Sequence, residues 1–338
     1  MFQPRLGIAW DVKGDARNVL RASAGLYYAR VPGLNLASAR STDGSRGQTL
    51  FTNSFTSTFL GRPPAYGELL ASPAGGPFQP EVYVFDKDFQ NARTFNATVS
   101  FERELARGLA GSLSYTYART DHLTRMLNAN DAVFGSPWST GLAGGNGPAG
   151  ANGLSATHVV QSTGKSRYNG LTAELRRALN PHLQFQVNYT LSWDKSDDDN
   201  ERDPFSFRYA RADSLQAEYG YSDRDQRHRF NAWLLAVLPA NIYLNNRVSV
   251  YSAQPVSEVC GPNNTGTGVR VTAQSQRDCT LVGGDHVLQR NTLRKDNAYF
   301  SWDIRLSKPI NLGQGTFEAI VEVFNVTNSD NLVDPSSA

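Results

Sequence analysis

The sequence predicts an all-β protein: an antiparallel up-and-down transmembrane β-barrel, with about ten strands of a larger barrel represented. Three observations carry this. Ten stretches alternate apolar and polar residues with period 2. The connections between them are short, then very long, then short again. The longest apolar run, Ala232 to Leu238, is far too short to cross a membrane as a helix.

The clearest strand is Leu183 to Trp193. Leu183, Phe185, Val187, Tyr189, Leu191 and Trp193 fall on one face, and Gln184, Gln186, Asn188, Thr190 and Ser192 on the other. A polar face of that kind suits either solvent beside a soluble sheet or the wet lumen of a barrel. The strict alternation of short and long connections favours the barrel.

In chain order, Arg5 to Val12 forms the first strand, with Leu6, Ile8, Trp10 and Val12 on one face. Lys13-Gly14-Asp15-Ala16 turns it into Arg17 to Arg30, where Leu20, Ala22, Ala24, Leu26 and Tyr28 share a face. About sixty residues rich in Ser, Thr, Gly and Pro follow, far longer than an ordinary connection. The next hairpin sets Phe95, Ala97, Val99 and Phe101 before the turn Ala106-Arg107-Gly108, and Leu109, Leu113, Tyr115 and Tyr117 after it. A second long loop is expected from about Thr120 to Ser166. The third hairpin is Arg167 to Ala178, a turn at Asn180-Pro181, and Leu183 to Trp193. A charged loop, Asp194 to Gln226, leads to the fourth hairpin, Arg227 to Leu238 and Ile242 to Tyr251. A cysteine-containing loop leads to the fifth, with Phe300, Trp302, Ile304 and Leu306 opposite Phe317, Ala319, Val321 and Val323.

Two details fit a membrane. Arg103 and Arg177 interrupt the apolar phase, but each lies near a short turn, where its head can reach the lipid headgroups. Tyr27 and Tyr28, Tyr115 and Tyr117, and Tyr189 and Trp193 gather at the other strand ends, as an interfacial aromatic belt or as ordinary cross-strand packing.

Composition agrees. The chain has 338 residues, 40% hydrophobic and 19% charged, with 29 Gly and 16 Pro, a turn-rich and charge-poor make-up. A net charge of +2 without a basic tract implies no nucleic-acid partner. No signal peptide opens the chain and no closing strand ends it, so it reads as a fragment, residues 1–338 being one barrel segment.

Cys260 and Cys279 lie in one Gly/Asn/Thr-rich stretch. In an oxidising compartment they form a disulfide clamping that loop, stabilised by about 3 kcal/mol on the loop-entropy argument. In a reducing compartment they stay as two thiols. No catalytic residue, metal site or cofactor is expected. The five histidines, His122, His158, His182, His228 and His286, are scattered, and no nucleophile elbow or phosphate-binding Gly loop occurs. The acidic run Asp194, Asp197, Asp198, Asp199, Glu201 and Asp203 reads as a solvated loop, with calcium ligation as the alternative.

The charges on the lumen phase form the candidate site: Arg21, Glu102, Glu174, Arg176, Asp303, Arg305, Glu318 and Glu322. Charges inside a barrel need partners. These could pair across strands, grip a plug or touch a substrate.

The segments also resemble a known family. Pro4-Arg5-Leu6-Gly7-Ile8-Ala9-Trp10-Asp11 and Val19-Leu20-Arg21-Ala22-Ser23-Ala24-Gly25-Leu26-Tyr27-Tyr28 look like a mid-barrel hairpin of TonB-dependent receptors. Asn188-Tyr189-Thr190-Leu191-Ser192-Trp193, Asp225-Gln226-Arg227-His228-Arg229-Phe230, Trp302-Asp303-Ile304-Arg305-Leu306-Ser307-Lys308 and Glu322-Val323-Phe324-Asn325-Val326-Thr327-Asn328 resemble later segments. More narrowly they resemble the Oar-like group, which carries a carboxypeptidase-regulatory-like domain. The resemblance implies an outer-membrane location and import of a scarce nutrient through a plugged barrel. It implies as partners membrane lipid, a plug domain, the TonB complex and a small-molecule or oligosaccharide ligand. A plug and the first barrel half would precede this chain and a closing strand would follow. In a 22-stranded transporter barrel the ten strands would be about strands 12 to 21. A non-transporting Oar-like surface or adhesin barrel, a porin, and a soluble all-β binding domain are the alternatives.

Overall fold

The computed structural model describes residues 2–31, 33–43, 81–128, 156–180, 182–199, 209–210, 215–260, 277–279, 284–313 and 315–331. The first hairpin is β1 (Arg5–Asp11) and β2 (Asn18–Tyr28). Helix α1 (Gly33–Ser41) and β3 (Glu81–Phe85) follow. Next come β4 (Arg93–Ala106), β5 (Leu109–Asn128), β6 (Ala156–Asn180) and β7 (Leu183–Ser196). Then come β8 (Gly220–Tyr221), β9 (His228–Leu238), β10 (Ile242–Tyr251) and β11 (Pro255–Val256). The last are β12 (Leu293–Arg294), β13 (Tyr299–Asn311) and β14 (Thr316–Val323).

Ten long strands pair in the order β1-β2-β4-β5-β6-β7-β9-β10-β13-β14, each antiparallel to the next. This is an up-and-down meander. β3 lies parallel to the loop end of β6, β8 adds to β7, and β11 pairs with β12 apart from the main sheet.

The register carries the two-faced pattern across the whole sheet. Leu20, Phe101, Leu113, Ala173, Tyr189, Phe230, Val250 and Phe300 form one continuous row, each directly opposite the next. The adjacent row, on the other face, is Arg21, Ser100, Ser114, Thr172, Thr190, Arg229, Tyr251 and Tyr299. Cross-strand threonine pairs tie the polar face: Thr94 with Thr120 at 2.8 Å, Thr98 with Thr116 at 3.3 Å and Thr172 with Thr190 at 2.9 Å.

The apolar face has no covering layer. Val99, Phe101, Leu113 and Tyr189 are exposed, and the one buried hydrophobic cluster among the described residues, Tyr83, Met126 and Val160 with Phe85 and Phe89, sits at the loop end. A continuous apolar band of this extent is intolerable in water and natural in lipid. Polar groups on that face are satisfied locally. Trp302 Nε1 donates to Asn246 Oδ1 at 3.1 Å, and the Tyr115 hydroxyl to Asn169 Oδ1 at 2.8 Å.

Period 2 alone makes the strands of the second and third hairpins too short. β5 runs on to Asn128 and β6 begins at Ala156, so much of the span expected as loop from Thr120 to Ser166 is paired strand. The ladder shifts register between Asp121 and Leu123 and again between Leu123 and Arg125, with His122 at φ 64°. Each bulge advances the side-chain phase by one, which erases period 2 while keeping the hydrogen bonds. The short turns are tight because the chain goes left-handed there. Gly108 at φ 74° suits a residue without Cβ, whereas Ala240 at φ 64° is strained.

Candidate functional site

Seven of the eight lumen-phase charges fall into two clusters. Glu102 on β4 bridges Arg21 on β2, at 3.0 Å, and Arg176 on β6, and Glu174 stands 3.8 Å from Arg176. Arg305 on β13 faces Glu322 at 3.2 Å and Glu318 at 3.8 Å on β14. Asp303 has a different role. Its Oδ1 accepts from the Asn325 N–H at 2.9 Å and from Ser301 at 3.1 Å, pinning the chain that leaves β14. Three strands, β7, β9 and β10, separate the clusters along the sheet. Arg176 and Arg305 remain partly exposed, so each pair is worth only about 0–1 kcal/mol. Beside Arg305 a cavity of about 330 Å³ is lined by Leu235, Tyr243, Asn245, Ser307 and Glu318.

The long loops build a second feature that sequence reasoning missed: a cap of buried ion pairs. Arg277 donates to both Glu218 oxygens, at 2.7 and 2.5 Å, and to the carbonyls of Leu288 and Ala217 at 3.2 and 3.3 Å. Arg290 reaches Asp199 at 2.8 Å and the carbonyls of Glu218 and Ser196. Arg125 pairs with Asp197 at 2.9 Å, and Arg294 with Asp225 at 2.5 Å. Asp225 also receives the Asp194 N–H at 2.8 Å. Three distant segments are thereby bound into one body.

The acidic run is therefore not a solvated loop over its described part. Asp197 and Asp198 are buried, and Asp197 and Asp199 are held by arginines. Their arginine partners lie 72 and 91 residues away in the chain, so no local pattern announces them. Glu201 and Asp203 lie outside the described residues. Among the described residues, no group of three or more His, Cys, Asp or Glu could hold a metal ion.

The Tyr209 hydroxyl donates to Asp198, and its pKa is well above the usual phenol value through burial and that carboxylate. Asp194, just above Trp193 and the lipid-facing stretch of β7, is pushed up to about 6, by burial first and then by the Asp199 and Asp225 carboxylates. The group ordinarily titrates near 3.8. Between that pH and about 6 the folded loop binds the proton more tightly than the unfolded chain does. Its contribution to stability is thus fully present below about pH 4 and is lost as pH rises through 6. Asp194→Asn is expected to flatten this slope. The check is amide-exchange protection of segment 194–199, compared between wild type and variant at each pH from 4 to 7. A wild-type slope surviving in the variant would assign the effect to another group.

Cys260 and Cys279 are joined in a disulfide, Cα–Cα 5.1 Å, across a sequence separation of 19. The bond sits beside Arg277, whose carbonyl is 3.5 Å from Cys260 Sγ, so it tethers the segment that delivers the buried guanidinium. Thiol labelling of exported protein without reductant is expected to modify neither cysteine. A freely reactive pair would overturn the bonded loop.

An antiparallel sheet with a bare apolar face, an ion-paired polar face, short turns at one end and built-up loops at the other defines an outer-membrane β-barrel. The chain belongs to the outer membrane beta barrel domain family, whose model matches residues 1–261. Its fold is similar to that of the outer membrane transporter YddB from Escherichia coli, at 12% identity and TM-score 0.58, over 97% of this chain and 37% of that one. It is also similar to the ferric enterobactin receptor PfeA from Pseudomonas aeruginosa. One mutant form of that receptor matches at 13% identity and TM-score 0.51, over 97% of this chain and 35% of that one. Another mutant form, solved in complex with enterobactin, matches at 14% identity and TM-score 0.50, with the same coverage. The chain thus spans little more than a third of the length of these structures. A comparison with curated proteins finds no match.

Proposed function

We propose that the chain is one barrel segment, residues 1–338, of a TonB-dependent receptor that imports a scarce nutrient through a plugged lumen. The observation that carries this is the pair of half-exposed charge clusters on the lumen face, Arg21–Glu102–Arg176–Glu174 and Arg305–Glu318–Glu322. A water-filled pore needs only polar groups there. Partly unsaturated charges of both signs suit a folded plug that must be held and then released. Ligand is captured by the loops and the plug's outer face. Force transmitted through TonB moves the plug, and the substrate passes along the lumen. The barrel breaks no bond in this scheme.

Among the described residues the outermost strands of the sheet, β1 and β14, each pair on one side only. Unpaired edges in lipid leave backbone groups unsatisfied, which supports closure by further strands of the same larger barrel. The motifs quoted above support the Oar-like group within this class.

Cells with and without the gene, grown under limitation for iron chelates, cobalamin or oligosaccharide carbon in turn, test the reading. A growth defect in one medium, reproduced by removing TonB, is expected. Unimpaired growth in every medium together with lost surface attachment would replace import by adhesion.

A further inference from the structure

The outward face of β4 to β7 changes character abruptly at its loop end. Two residues beyond Phe95, Tyr117, Asn169 and Trp193 on that same face stand Arg93, Arg119, Arg167 and Lys195. Arg119, Arg167 and Lys195 lie directly opposite one another, and Arg93, Asp121 and Lys165 form the next row. Five cations thus meet two carboxylates: Asp121, at 3.1 Å from Arg119 and 3.8 Å from Arg93, and Asp197, whose Oδ2 accepts the Lys165 N–H at 2.9 Å and pairs with the buried Arg125 at 2.9 Å. Among the described residues Arg167 has no ion-pair partner. The pattern does not extend to β9, β10 and β13. At the corresponding step beyond Phe230, Val250 and Phe300 the chain has His228, Ser252 and Ala298.

Aromatic rings stiffen the sector. Lys165 Nζ lies 4.9 Å from the ring centre of Tyr219, and Lys195 Nζ 5.0 Å from that of Tyr221. Lys165 also lines an open cavity of about 670 Å³ with Thr163, Gln216, Tyr219 and Gln289, and the Arg125–Asp197 pair is part of the same lining. Arg125 is buried there with its Nε lacking any hydrogen-bond partner. A row of cations just past an aromatic belt faces the headgroup layer of the outer leaflet. There, basic residues need anions, and a cavity lined by amides and a phenol suits sugar hydroxyls.

We propose that this sector binds the phosphate groups of an anionic glycolipid headgroup in the outer leaflet. Arg119, Arg167 and Lys195 meet the phosphates, and the cavity beside Lys165 takes the adjoining saccharide. This rests on the outer-membrane family assignment and not on the transport proposal, so either can fail alone.

The test uses the full protein, folded in neutral detergent and titrated with diphosphoryl lipid A, with the same lipid lacking both phosphates, and with inorganic phosphate. Complexes are counted by native mass spectrometry. The diphosphoryl lipid is expected to bind at least about tenfold more tightly than its phosphate-free form, and the triple variant R119Q/R167Q/K195Q to lose that preference. R103Q/R177Q, with its charges at the opposite, short-turn end, is expected to keep it. Should the triple variant not fold, R167Q alone removes an arginine with no ion pair among the described residues and is expected to weaken binding about threefold. Equal binding of both lipids, an unaltered preference in the folded triple variant or in R167Q, or displacement by micromolar inorganic phosphate would each overturn the proposal. The last would identify a site for a soluble anion.

Discussion

Val187→Arg is expected to destabilise the barrel by about 2–4 kcal/mol, and Asn188→Arg by much less. The two positions are neighbours in the chain and opposites in environment. Val187 sits between Leu175 on β6 and Ala232 on β9, on the bare apolar face and well inside the strand. An arginine there must hold its charge in hydrocarbon or bend a long way to a headgroup. Asn188 sits between Glu174 and Asn231 on the polar face. An arginine there enters water and gains a carboxylate across the strand. Urea titrations of the protein folded into short-chain phospholipid vesicles measure both costs. Equal tolerance would mean that the two faces are assigned the wrong way round or that neither meets lipid.

What could be read from the chain, and what could not, follows from how far each interaction reaches. Period 2 is a local property, so residues such as Phe185, Val187 and Tyr189 announce their face without any partner. The two-faced rows of the sheet are that local signal repeated on successive strands. The lumen charges were legible for the same reason: Arg21, Glu102 and Arg176 keep the polar phase of their own strands. Which of them meet was not legible, since Arg21 and Glu102 are 81 residues apart and the register joins them. The bulges near His122 hid the outer third of β5 because they break the period while preserving the pairing. The cap was invisible for the opposite reason. Glu218, Arg277 and Arg290 lie in segments without periodicity, and only the folded loops bring them together. Asp197 and Asp199 looked solvated because a run of carboxylates gives no sign of arginines brought from elsewhere in the chain.

The cap supplies the other large effect. Removing Glu218 is expected to cost the loop structure about 3–5 kcal/mol, because it leaves the Arg277 guanidinium buried without a counter-charge. The side chains are only 2% and 0% exposed, so water cannot take over. Glu218 does more than neutralise. Its Oε1 also accepts the Ala210 N–H at 2.8 Å, and its backbone carbonyl accepts from Arg290 Nε at 2.9 Å. Glu218→Ala therefore strands a charge and an amide together. The double variant Glu218→Leu/Arg277→Met removes both charges and refills the volume with apolar atoms, and is expected to recover most of the loss. The strands beneath are held by their own ladders, so the damage should stay local. Amide exchange would rise in 215–222 and 284–294 of Glu218→Ala and fall back toward wild type in the double variant, while the β4–β7 ladder is unchanged. If the double variant exchanges as fast as Glu218→Ala, the loss comes from the Ala210 hydrogen bond and from packing, and the stranded guanidinium is not its cause.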